Sequence, residues 1–313
     1  MADFDVLVLG DCNPDLILSG GDVEPAFGQV EHLVEKASLV VGGSGAIFAC
    51  GAARLGLRTA FAGVIGDDVY GRFMLDALQE RGVDTRGVLM DAHRPTGVTV
   101  ILSRNGDRAI LTAPGTIGDM RGALVDPDLL HAARHVHVSS FFIQRGLQPD
   151  LPEVFEEAHA AGATTSLDPN WDPQEEWDSG LLALLGQTDW FLPNSAEARQ
   201  ITGLDDLEIA AASLAESGTT LAVKLGAGGG LAARGDEIFQ VPAYKVDVAD
   251  TTGAGDSFDA GFVAAMLAGQ PLRRALEWAV VCGSLSTRST GGVDAQPTTD
   301  EVERALAEFD LPP

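Results

Sequence analysis

Residues 246–267 read VDVADTTGAGDSFDAGFVAAML. Val246 and Val248 suggest a β-type run, a polar glycine turn follows, and an apolar helix carries Phe258, Phe262, Ala265 and Met266. Gly253 and Gly255 permit a tight turn and let a ligand approach the backbone with no Cβ in the way. Amides that open a helix have no intrahelical acceptor, and the helix dipole adds partial positive charge there. The turn through Gly253, Ala254 and Gly255 is therefore suited to an anion such as a phosphate. Asp256 puts a carboxylate at its mouth, which a pure phosphate cradle would avoid. A carboxylate there can take a hydroxyl proton as that oxygen attacks a phosphoryl group held by the amides. The alternative is a glycine turn with Asp256 as an ordinary helix-start residue.

The longer string DTTGAGDSFDAGF resembles the C-terminal signature of the ribokinase-like (PfkB) family of carbohydrate kinases, close to D-T-x-G-A-G-D-x-F. Other stretches support the resemblance along nearly the whole chain. It implies a catalytic base at Asp256 and an anion hole on the amides of Gly253, Ala254 and Gly255. It also implies ATP and Mg²⁺, with K⁺ as a further cation in some relatives.

Composition bounds the alternatives. A chain of 313 residues has ample length for a sizeable core. No window approaches the apolar length of a membrane span, and no signal peptide is expected at the start. The net charge of −26 argues against nucleic acid or anionic membranes as partners. The three lysines, Lys36, Lys224 and Lys245, never follow a glycine, which excludes a Walker A loop. Cys12, Cys50 and Cys282 form no CxxC pair and fit reduced thiols in a cytoplasm.

Residues 3–10, DFDVLVLG, read as a buried first strand ending in glycine. A dinucleotide-binding domain would continue with GxGxxG; Asp11-Cys12-Asn13-Pro14-Asp15 follows instead. Asn13 and Asp15 share a face in extended chain, where the resemblance implies contacts to substrate hydroxyls; the alternative is a turn. Residues 40–56 read as a short strand, a Gly42-Gly43 turn and a small-residue helix. They resemble the family's first signature, in which paired glycines approach the sugar, but Ile47 stands where the family usually has Asn. A strand at 59–68 and a helix over 70–81 ending at Gly82 come next. Residues 95–115 alternate around Asn105-Gly106, a hairpin signal. The resemblance implies that this hairpin joins strands near 15–34 in a β-lid over the sugar.

From about 126 onward strands alternate with helices at 149–161, 179–186, 195–202 and 206–217. That pattern implies a doubly wound, mostly parallel sheet with helices on both faces, a three-layer αβα architecture. His135 and His137 read as structural, since no further ligand residue accompanies them. In Asp168-Pro169-Asn170, at the ligand edge of the sheet, several relatives continue with a basic residue where this chain has Trp171. Asn194 and Glu197 lie three apart at a helix start. The family uses such a pair for Mg²⁺ and its waters beside the nucleotide; a capping box is the structural alternative. The resemblance also places nucleotide contacts at Asn194, Lys224, Gly226 and Gly228, and adenine against Ala279 and Gly283 on a final helix opened by Pro271. Asp250 and Thr252 correspond to a monovalent-cation site.

The expectation is one ribokinase-like domain over residues 1–313, with lid insertions at about 12–35 and 95–114, acting as an ATP-dependent sugar kinase. A homodimer through the lid is expected, because its strands present open edges. The rivals are a nucleoside kinase of the same fold, in which Ile47 and Phe141-Phe142 could suit a base, and a non-catalytic sugar or nucleotide sensor.

Overall fold

The computed structural model describes residues 2–104 and 107–309. Strand β1 (Val6–Leu9) is followed by β2 (Pro14–Gly21), β3 (Val34–Val41) and helix α1 (Ser44–Arg54). Then come β4 (Thr59–Gly66), α2 (Val69–Glu80), β5 (Asp84–Asp91), β6 (Val98–Arg104) and β7 (Asp107–Ala113). The middle of the chain gives α3 (Pro127–Ala132), β8 (His135–Val138), α4 (Leu151–Ala160), β9 (Thr164–Leu167) and α5 (Leu181–Leu184). It continues through β10 (Trp190–Phe191), α6 (Ser195–Thr202), α7 (Leu207–Ala215) and β11 (Thr220–Lys224). Strands β12 (Gly230–Arg234) and β13 (Glu237–Val241) precede α8 (Ala254–Leu267), α9 (Leu272–Ser286) and α10 (Thr299–Glu308).

The large sheet has the order β13-β12-β11-β10-β9-β8-β1-β4-β5. It is parallel from β11 to β5, and β12 and β13 close one side as antiparallel strands. Residues of β1 show why helices cover both faces. Val6 and Val8 pack into one core with Phe48, Phe61 and Phe262, while Leu7 and Leu9 pack into a second with Phe141 and Phe155. The pleat sends successive side chains to opposite faces, and all four are fully buried, so neither face meets water. The chain first winds outward to β4 and β5 and then returns to β8. The sheet order therefore reverses beside β1, and the crevice beyond the strand ends at such a reversal is where open α/β sheets hold ligands.

A second sheet has the order β3-β2-β6-β7, with β2 and β6 parallel. Asn105-Gly106 lies outside the described residues; the flanking strands pair antiparallel up to Arg104 opposite Asp107. The strand at Val40-Val41 is the end of β3 rather than a separate element, so this part of the small sheet runs to residue 41, beyond the expected 35.

Other differences have local causes. No strand forms at Val246–Val248, and just beyond it the amides of Ala249 and Asp250 bond the Thr287 carbonyl, at 2.8 and 3.1 Å. The helix after Pro271 is not the last. α10 follows it, opened by a capping box between Thr298 and Glu301.

Candidate active site

The C-terminal ends of β1, β9, β10 and β11 deliver Asp11, Asp168, Asn194 and Lys224 toward the N-terminus of α8. That helix starts at Gly253, whose φ of 70° is left-handed and where an added Cβ would press on Gly292 and Ile47. Glycine is needed on both counts. The Ala254 N–H donates to the Thr251 carbonyl at 3.3 Å. Among the described residues the amides of Gly253 and Gly255 have no protein acceptor, so they supply the free donors of the turn.

Asp256 lies in the first turn of α8, half-buried, in the lining of a cavity of about 980 Å³. Loss of water and then the charge of Asp168 push its carboxyl up to about 8. Lys224 and a hydrogen bond with Ser44 act in the opposite direction, and Asp11 adds a further upward push. A carboxyl in this state is a stronger base than an exposed aspartate.

Asn194, Glu197, Lys224, Gly226, Gly255 and Gly283 line the same cavity. Two expected nucleotide residues do not. Ala279 is fully buried in the core on the other side of α9, and Val280 and Gly283 face the cavity in its place. Gly228 sits in the tight turn after β11, where its carbonyl accepts from Gln240 at 3.2 Å. That turn carries the chain from β11 into antiparallel β12, so the glycines also serve a hairpin.

Asn194 and Glu197 form a complete capping box. Asn194 Oδ1 accepts from the amides of Ala196 and Glu197 at 2.8 and 2.9 Å, and Glu197 Oε2 accepts from the Asn194 amide at 2.7 Å. Glu197 Oε1 takes no part. Burial and the neighbouring Asp168 push the Glu197 carboxyl up to about 7, opposed by Lys224. Glu197 Oε1, left outside the capping box on a residue that lines the cavity, fits Mg²⁺ held through water, a hard ion usually bound by one or two carboxylates plus phosphate and water.

The sugar-side residues gather around Asp11. Its two oxygens accept from the amides of Ser44 and Gly45 at 3.1 and 3.0 Å, capping α1 from a distant strand. Asn13 donates to Thr99 of β6 at 3.3 Å, and an added Cβ on Gly43 would come within 3.0 Å of its Oδ1. A Cβ on Gly42 would overlap the Asp15 carboxylate. Asn13, Asp15, Gly42 and Gly43 are thus brought together at the root of the small sheet. Burial and Asp11 push Asp15 up to about 7, against the pull of Arg108.

Asp250 and Thr252 are stapled to each other and to the chain end. Asp250 Oδ1 accepts from the Thr252 amide and hydroxyl at 3.0 and 2.9 Å, and Oδ2 accepts from the Gly291 amide at 3.0 Å. Arg108 reaches over from β7 to within 3.3 Å of Thr252 Oγ1. With both carboxylate oxygens engaged and a guanidinium at hand, these side chains do not fit a K⁺ site.

Phe141 and Phe142 are buried in the second core with Trp177; like Asn13, Asp15, Gly42 and Gly43, they do not line the 980 Å³ cavity. Ile47 packs against Gly253 and Gly292 and supports the turn from behind. His135 and His137 are buried and linked through Ser166 at 2.7 Å, and burial pushes His135 down to about 3.

Asp11, Arg108 and Asp259 were not singled out by the sequence reading. Asp259 alone left a visible trace, as an acid one turn beyond Asp256 on an otherwise apolar helix. Lys224 bonds Asp259 Oδ2 at 2.8 Å and also bonds Asp168.

Known carbohydrate kinases resemble this chain in sequence and in fold. A ribokinase of Bacillus subtilis (strain 168) is 30% identical over 304 residues, covering 96% of this chain and 99% of the relative. A fructokinase of Klebsiella pneumoniae is 34% identical over 283 residues, covering 85% and 91%. The Arabidopsis thaliana ribokinase solved with ribose and ATP superposes with a TM-score of 0.83 at 25% identity, covering 99% of this chain and all of that one. Residues 3–299 match the pfkB family carbohydrate kinase, and the chain belongs to that family.

Proposed function

We propose that this carbohydrate kinase transfers the γ-phosphoryl group of ATP to a primary hydroxyl of a small sugar, with Asp256 as the general base. The observation that carries the reading is the position of Asp256 beside the free amides of Gly253 and Gly255, in a cavity large enough for a nucleotide. Asn13, Asp15 and the backbone at Gly42 and Gly43 hold the sugar hydroxyls. Asp256 takes the proton of the attacking hydroxyl, and the amides of the α8 turn receive the charge on the transferring phosphoryl oxygens. Asn194 and Glu197 would hold Mg²⁺ through water, and the ion would neutralise triphosphate charge. Backbone at Lys224 and Gly226, with Gly283 on α9, accommodates the nucleotide.

Asp256→Asn keeps the shape and an oxygen for Ser44 but removes the basicity. Turnover should fall by about 10²–10⁴, with nucleotide affinity held or improved and the melting temperature unchanged or raised. Near-normal turnover on the cognate sugar would remove the mechanism. A panel of sugars and nucleosides scored by ADP release identifies the acceptor. The small sheet also exposes Leu39 and Leu111, which the strand register places on one face, and this suits a homodimer packed sheet to sheet. A monomeric mass by light scattering at micromolar concentration would contradict that assembly.

A further inference from the structure

The side chain of Lys224 has an arrangement that a backbone contact to nucleotide does not explain. It ends β11 with its side chain 12% exposed, and its ammonium bonds Asp168, beyond the end of β9, and Asp259 Oδ2 of α8 at 2.8 Å. An added Cβ on Gly255 would lie 3.4 Å from Lys224 Cδ and 3.9 Å from Nζ. The lysine stem therefore runs beside one of the two free amides of the α8 turn. Burial alone would push this ammonium toward neutrality; Asp168, Asp259 and Glu197 together hold it charged. His137 of β8 and Asp256 of α8 also face this cluster.

As a purely structural device the cluster is poorly balanced. Two buried carboxylates share one ammonium, and Asp259 Oδ1 has no partner among the described residues. Buried ion pairs give little net stability even when they are matched. The two carboxylates also differ in position. Asp168 lines the cavity, while Asp259 lies behind the turn and does not. Of the cations lining the cavity, Arg108 and Lys245 are exposed and Lys224 is the one largely withdrawn from water, in a chain of net charge −26. A triphosphate entering this cavity meets Lys224 beside the anion turn.

We propose that Lys224 is a further catalytic residue, anchored by Asp259, that turns from Asp168 to the transferring phosphoryl group. This role rests on the kinase reading above. The sugar oxygen forms its bond to the γ-phosphorus as the bond from that phosphorus to the β-bridging oxygen breaks. The electron pair leaves on the β-phosphate of ADP, and the hydroxyl proton passes to Asp256 and then to water. Lys224 exchanges no proton. Its charge meets the equatorial oxygens, where it complements the amides of Gly253 and Gly255. Asp259 is the positioning residue, because it keeps the ammonium beside Gly255 when Asp168 is exchanged for phosphate.

Lys224→Met should lower turnover about 10²-fold or more, the loss typical of one preorganised donor. The KM for sugar should stay within about twofold. Binding should separate by phosphate: ADP is held nearly as before, while a non-hydrolysable imido analogue of ATP weakens about tenfold, as expected for one lost charged hydrogen bond. Lys224→Arg should recover part of the turnover, and Asp259→Asn should cost about tenfold with the sugar KM unmoved. Because Lys224→Met strands two buried carboxylates, Lys224→Met/Asp259→Leu is measured beside it, with melting curves for both. A wild-type crystal with ADP, aluminium fluoride and sugar gives a readout independent of any variant's folding. Lys224 Nζ is expected at about 2.8 Å from a fluoride. Nζ still on Asp168, or full turnover in a folded Lys224 variant, overturns the proposal. If Asp256→Asn is inactive in that event, the kinase reading stands without Lys224; if it is fully active, that reading falls separately.

Discussion

Asp256 is flanked by two sets of buried carboxylates that are held by opposite means. On the sugar side, Asp11 is met by backbone amides that cap α1. On the proposed nucleotide side, Asp168 and Asp259 are met by the ammonium of one side chain, Lys224. Fixed amides hold a carboxylate in one orientation and leave no cation to spare, which suits a site that reads hydroxyl groups by direction. A lysine between two carboxylates can exchange one partner for another anion, which suits a site where charge arrives and leaves in each turnover. One turn of helix divides a geometric half-site from an electrostatic one.

Substitutions can test that division. The largest expected effect belongs to Asp256→Asn, which serves both halves and should lower turnover without separating them. Next comes Glu197→Gln on the nucleotide side. It should raise the Mg²⁺ concentration needed for half-maximal rate by about 10–100-fold, with the sugar KM nearly constant. An unchanged Mg²⁺ titration would place the ion elsewhere and weaken the electrostatic half of the comparison.

On the sugar side, Asp15→Asn should raise the sugar KM by about tenfold or more, as expected for loss of a charged hydrogen bond, with little change in nucleotide binding. Gly42→Ala should give the same phenotype with Asp15 intact, since the new methyl overlaps its carboxylate. If Gly42→Ala leaves the sugar KM unaltered, Asp15 does not touch the sugar in the orientation seen here.

The smallest effects are in pH. Asp15 and Glu197 are pushed up to about 7 and Asp256 to about 8, so each binds a proton more tightly folded than unfolded. The stability they contribute is complete below about pH 4 and is lost as pH rises through 7 to 8. The melting temperature of the ligand-free protein should therefore decline from pH 6 to 9, and Asp256→Asn should flatten the upper part. The rate has the opposite sign, because the base must be ionised: kcat/KM should climb through about pH 8 and then level. A flat profile across that range would mean that Asp256 does not limit the reaction.

Much of this was legible in the sequence because local chemistry was decisive. Gly253, Gly255 and Asp256 announce their turn, and Asn194 with Glu197 announces a helix start. The alternation of strand and helix announced the layered sheet. What stayed hidden depends on contacts distant in sequence. Asp11 caps a helix 33 residues away, and Lys224 finds Asp168 at a separation of 56. Nothing in the neighbourhood of either residue signals the partner. Val246–Val248 shows the converse: a strand-like pattern forms no strand, and the chain just beyond it is tied to the distant Thr287 carbonyl.

The small sheet has one more consequence, through entropy. Asp15 belongs to β2, whereas Asp11 and Gly43 belong to the body that carries α1. Glycines stand where the chain passes between the two parts, at Gly42-Gly43, Gly97 and Gly115. In the proposed function, a sugar bonded to Asp15 and to the Gly43 backbone would bridge the two parts. Whatever binding energy went into holding them in one arrangement would then be missing from the sugar affinity, which would understate the contacts.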